Sequence, residues 1–129
     1  MDRQILFRAK SIEDDTKGQW IYGFYREFKT NKGITYFIDS GDSNESFFVD
    51  KATIGQYTGL NDKNGKKIFE GDKAKWVRFK DKETGIVRYN SRMACFEFMV
   101  KHCDGHINSY LIGHCESLEV TGTIFDIGV

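Results

Sequence analysis

The stretch that most constrains this chain runs from Gly55 to Trp76, and its middle, Asp62-Lys63-Asn64-Gly65-Lys66, is a hairpin turn written in sequence. Asn and Gly tolerate positive φ, which a two-residue turn needs if it is to follow the right-handed strand twist. Short apolar pieces flank it, Gln56 to Leu60 before and Lys67 to Phe69 after, and Gly71-Asp72 marks a second bend before Lys73 to Lys80. A chain that reverses here cannot carry a helix through its centre.

The rest repeats that alternation of short apolar runs and turns. Strands are predicted over Gln4 to Ala9, Trp20 to Phe28, Ile34 to Asp39, Ser46 to Asp50, Lys73 to Lys80, Gly85 to Tyr89, Ala94 to His102, Ile107 to Gly113 and Leu118 to Ile127. Trp20, Tyr22 and Phe24 share one face of their strand, with Ile21 and Tyr25 on the other. Ala94, Phe96, Phe98 and Val100 are expected to face inward, with Cys95, Glu97, Met99 and Lys101 outward. Polar turns are read at Ser11 to Gly18, Asn31 to Gly33, Asp81 to Thr84 and Asp104-Gly105, and one helical turn after Asp50 as its cap. No helical period lasts three turns. Eleven Phe, six Tyr and two Trp favour strands, and thirteen Gly with no Pro make flexible turns. The expected fold is all-β, a small barrel or sandwich. It divides into an N-terminal β subdomain over 1–58 and a C-terminal small-barrel subdomain over 59–129, together one compact unit.

Nineteen basic residues balance nineteen acidic ones, which argues against a generally adhesive nucleic-acid coat. Three Cys without paired spacing point to a reduced, cytoplasmic protein. The segment Met1 to Lys10, charged at positions 2, 3, 8 and 10, does not read as a signal peptide. No apolar run nears the roughly 20 residues of a membrane span, so no membrane partner is expected.

Several segments resemble the YopX family, small proteins of phages and prophages, mostly of Gram-positive bacteria. They are Ile5 to Lys10 with Trp20 to Tyr25, then Val49-Asp50 with Thr53 to Leu60, Ile68 to Asp72, and Glu119 to Phe125. The signature residues are Gly55, Gln56, Tyr57, Thr58, Gly59, Asn64, Gly65, Gly71 and Asp72, read as structural. The resemblance implies an all-β fold of barrel-like subdomains, one like a Src homology 3 barrel in the C-terminal half. It implies no catalytic residue and no cofactor. Two departures stand out: Lys51 where the family often has Pro after the Val-Asp pair, and Asp126 to Val129 where an Asn-Pro tail is usual.

All Cys and His fall between 95 and 115: Cys95, His102, Cys103, His106, His114 and Cys115. Thiolate and imidazole suit zinc, but a hairpin setting Phe96 opposite Ile112 and Phe98 opposite Tyr110 splits the set between tip and base. About seven strand residues, roughly 23 Å, separate the groups, so no metal site is assigned. Residues 61–90 hold nine basic residues against five acidic, interleaved with Phe69, Trp76, Phe79 and Tyr89. Lys73, Lys75, Trp76, Arg78 and Phe79 are therefore the candidate nucleic-acid or partner surface, with phosphates neutralised by the cations and bases stacked on the rings. The competing reading is a lysine-guarded sheet edge. Gln56 and Tyr57 offer an amide and a phenol to a ligand, or else shape the bend and fill the core. The cluster Glu13-Asp14-Asp15 lacks a partner base, and neither a nucleophile elbow nor a phosphate loop is present. The reading is a non-enzymatic interaction or self-assembling module. Its partners are expected to be itself, as a homo-oligomer by edge pairing or aromatic burial, or another phage or host protein, with nucleic acid as the alternative.

Overall fold

A computed structural model describes residues 4–41, 43–78 and 81–126, leaving out the side chains of Arg78 and Asp81. The chain divides into two compact units, Met1–Tyr57 and Thr58–Val129.

The first unit holds β1 (Phe7–Lys10), β2 (Trp20–Thr30), β3 (Gly33–Ser40), β4 (Ser46–Phe48) and the start of β5 (Gly55–Asn61). They lie side by side in the order β4-β3-β2-β1-β5, all antiparallel. One face buries Ala9, Ile38 and Val49, with Phe7, Ile21, Tyr25, Tyr36, Phe47 and Ile54 packed around them. Burial, then the Glu27 carboxylate, pushes the Tyr25 phenol up to about 12. The turn expected after Asp50 is a 3-10 turn, Lys51–Thr53, whose first free N–H, on Ala52, donates to the Asp50 side chain at 3.0 Å.

In the second unit β5 continues beside β6 (Lys67–Phe69), and a separate sheet follows. Its strands are β7 (Asp72–Arg78), β8 (Asp81–Asn90), β9 (Cys95–Lys101), β10 (Ile107–Leu111) and β11 (Glu119–Thr123), in the order β10-β9-β8-β7-β11. Its inner face buries Ala74, Trp76, Val87, Phe98 and Val100 against Ile68, Ile112, Cys115 and Leu118. Trp76 meets the edges of Phe98 and Tyr110, with ring centroids at 6.2 and 5.1 Å. Gly85 sits where a Cβ would come within 2.4 Å of the Met99 carbonyl oxygen and 2.8 Å of the Phe98 ring, so only glycine lets β8 lie this close.

The all-β expectation holds, and among the described residues there is no α-helix. Barrel closure does not. Among the described residues β10 and β11 stand at opposite edges of their sheet with no ladder between them, and in the first unit an isolated bridge, Ser11 to Val49, joins the ends of β1 and β4.

Five local expectations are also corrected. The central turn is a three-residue loop, Lys63 to Gly65, closed by Asp62 N–H donating to Lys66 O at 2.7 Å; only Gly65 takes positive φ, at 82°. Asp81 to Thr84 is strand, not turn, because Glu83 and Lys82 pair with Trp76 and Val77. Ala94 is an exposed turn residue with φ 53°, not the first inward residue of β9. The closing strand ends at Thr123, where Asp126 accepts the Thr123 N–H and hydroxyl; Ile127 is outside the described residues. The expected pairing of Phe98 with Tyr110 is present, whereas Ile112 lies in a 3-10 turn instead of opposite Phe96.

Candidate interaction surfaces

Alternation along β2 places Trp20, Tyr22, Phe24, Arg26 and Phe28 on the face opposite the core. Tyr22, Phe24 and Phe28 are 46, 62 and 56 % exposed, and Phe48 on β4 is 45 % exposed. Phe37 bridges the two strands, its ring 4.7 Å from that of Phe48 and beneath the Arg26 guanidinium at 4.5 Å. Arg26 Nε and Nη2 donate to Asp39 at 3.0 and 3.1 Å, and Ser46 Oγ donates to the same carboxylate at 2.6 Å. Arg26 first, then Ser46, hold the Asp39 carboxyl below its ordinary value. Arg8 and Lys10 lie over Trp20 at 4.4 and 5.4 Å. The face is thus aromatic, and its central charge is already matched. Residues 26 to 34 of the β2–β3 ribbon are exposed on both faces, because β1 pairs no further along β2 than Gly23 and β4 no further along β3 than Phe37.

The sequence-predicted surface separates in the second unit. Lys73 and Lys75 point outward from β7, while Trp76 points inward and is 9 % exposed. Lys75 Nζ lies 3.4 Å from Glu119, which also faces Lys63 at 3.8 Å. Phe79 and the Arg78 side chain lie outside the described residues. Of the interleaved rings, Phe69 is buried, and Tyr89 is 43 % exposed and packs edge-on to Phe96 at 5.1 Å.

The signature residues organise backbone. Gly59 and Gly71 take φ of 91° and 94°, Thr58 Oγ1 donates to Ile68 O at 2.9 Å, and the buried Asp72 carboxylate accepts Phe69 N–H at 2.8 Å. Gly55 and Gln56 pair with Arg8 and Phe7, Tyr57 is buried, and the Asn64 N–H donates to Asp62. Asp62 was legible only as a turn residue; its role depends on a partner far along the chain.

At the β9–β10 turn the His102 and His106 rings stack at 4.1 Å, and His106 Nδ1 is 2.5 Å from Asp104 Oδ1. The His106 backbone N–H and then its ring hold the Asp104 carboxyl below the usual range. Cys95, Cys103 and Cys115 form no disulfide. Among the described residues no three His, Cys, Asp or Glu side chains are grouped to hold a metal ion, and no helix is long and apolar enough to cross a membrane.

None of the curated proteins matches this sequence. A family model described as YopX protein matches residues 6–127, nearly the whole chain, and the chain belongs to the YopX family.

Proposed function

We propose that this YopX-family chain is a non-enzymatic interaction module of phage or prophage origin, acting in the host cytoplasm. Its working surface is the outer aromatic row of β2. The observation that carries this reading is the joint exposure of Tyr22, Phe24, Phe28 and Phe48 on one unit. An aromatic side chain carries about 150–250 Å², so four half-exposed rings leave roughly 400 Å² of apolar surface. Patches of this size on a monomer are often functional. Because Arg26 is engaged by Asp39, the face offers little free positive charge, which favours a protein partner, a second copy included, over nucleic acid. Within this reading the C-terminal half keeps the Src homology 3-like character implied by the resemblance, as an open sheet that presents faces. Nucleic-acid binding through 61–90 is the second reading; it rests on the outward lysines, since Trp76 is in the core.

Light scattering across a concentration series, with capture of partners from infected host cells, tests the proposal. Wild type should gain mass or retain a partner that the Phe24→Ser/Phe28→Ser variant loses while melting at the same temperature. A monomeric wild type that captures the same proteins as the variant overturns it.

A further inference from the structure

A second surface, on the other unit, has a different chemistry. The outer face of β7–β8–β9 holds a depression of about 310 Å³ lined by Lys73, Thr84, Gly85, Ile86, Met99 and Lys101. Cross-strand pairing fixes the layout. Lys73, Ile86 and Met99 form one row across three strands, and Lys101 stands two residues beyond Met99.

The acids of this face are already engaged. Glu97 accepts from Arg88 Nε at 2.6 Å and Asn90 Nδ2 at 3.2 Å, and Glu119 faces Lys75 and Lys63. Lys73 and Lys101 are exposed and form no ion pair among the described residues. An aliphatic hollow with two uncompensated cations on opposite walls therefore remains. Its volume is at the low end for ligand pockets and ample for one apolar side chain. Among the described residues no ring lines it, so it lacks the platform on which bases stack.

We infer that this depression receives one aliphatic side chain of an extended acidic segment from another protein, with a carboxylate two residues before it and another two residues after. The spacings agree. Two inter-strand steps and two residues along β9 put the Lys73 and Lys101 Cα atoms about 12 Å apart, and residues four apart on an extended peptide span about 13 Å. Ile86 and Met99 take the apolar side chain, and the two lysines take the carboxylates. The occupant is not this same stretch of chain, because no two acidic residues stand four apart in its 129 residues. This site shares no residue with the aromatic row of β2 and does not depend on it.

The test is fluorescence anisotropy of a labelled peptide carrying glutamate, leucine and glutamate at alternate positions in a threonine background, at low salt. Saturable binding should weaken at least tenfold in Lys73→Glu/Lys101→Glu, in a peptide with glutamine for glutamate, and in one with serine for leucine. Added salt should weaken it as well. Both lysines are exposed, and circular dichroism serves as the check that the variants fold; Lys101→Gln supplies a milder step in the same direction. Absence of saturable binding to wild type, or equal binding by the charge-reversed variant, overturns the inference. So does a thymidine oligonucleotide that binds through the same two lysines more tightly than the peptide.

Discussion

The Asp62 carboxylate accepts the backbone N–H of Val120 at 2.9 Å through one oxygen, and the N–H groups of Asn64 and Lys66, each at 2.9 Å, through the other. The residue that shapes the β5–β6 loop thus also anchors β11, helped by Lys63 N–H donating to Leu118 O at 2.8 Å. Replacing Asp62 with Ala leaves three donors without their acceptor in a site where the residue is buried. Hydrogen bonds to a charged group contribute about 1.5–3 kcal/mol, and an orphaned buried donor costs about 1–3 kcal/mol. Asp62→Ala should therefore destabilise the second unit by about 3 kcal/mol in urea unfolding, and Asp62→Asn, which keeps one acceptor oxygen, by about half of that.

The same contacts set an acid limit. Burial acts to raise the Asp62 pKa, but the N–H groups of Val120, Lys66 and Asn64 outweigh it and hold the carboxyl below its ordinary 3.8. A depressed carboxyl stabilises the fold fully above its unfolded value, and the stabilisation fades as pH falls through the folded one. Urea midpoints should be flat with respect to this group from pH 7 to about 5 and then drop below pH 4. The gap between wild type and Asp62→Asn should narrow over that lower range. A gap that stays constant down to pH 2 would contradict the assignment.

How much of this was legible follows from which interactions are local. The strands, the loop at Gly65, the Asp50 cap and the Phe98–Tyr110 register could be read because alternation and turn chemistry act over a few residues. Which face of β2 is buried could not, since Trp20, Tyr22, Phe24 and Phe28 are as apolar as Ile21 and Tyr25. Pattern separates core from surface only when one face is polar. In β7 the reverse occurred: Lys73, Lys75 and Trp76 read as one patch, and alternation sends the ring inward and the amines outward. Glu97 lies on the outer face as predicted yet is 6 % exposed, its carboxylate engaged by both Arg88 and Asn90, a burial that alternation does not foretell. The Asp62–Val120 contact joins residues that no sequence period relates.

Glycine at position 85 is a packing requirement with a contrasting control. An added methyl would meet the Met99 carbonyl oxygen at 2.4 Å, and a backbone atom held in a ladder yields less readily than a side-chain end. Overpacking of this kind costs about 1–3 kcal/mol. Gly85→Ala should lower the melting temperature clearly, whereas Gly41→Ala, with nothing within 4 Å of its Cβ position, should leave it unchanged or slightly raised. Equal effects at the two sites would refute the close-approach account.

The Arg88–Glu97 pair is unequal in exposure, 46 % against 9 % for the side chains, and that predicts an asymmetric response. Removing the guanidinium by Arg88→Ala leaves a buried carboxylate with Asn90 alone to satisfy it, the arrangement that makes a broken buried pair expensive. Removing the carboxylate by Glu97→Ala frees a guanidinium that already reaches water and opens only a small cavity. Arg88→Ala should therefore cost about 2–3 kcal/mol and Glu97→Ala about 1 kcal/mol. In a double-mutant cycle the Arg88→Met/Glu97→Met variant should lose less than the sum of its single changes, since neither charge is then left behind. Additive losses would mean that the two side chains act independently, and the 2.6 Å contact would then contribute nothing to the stability of the second unit.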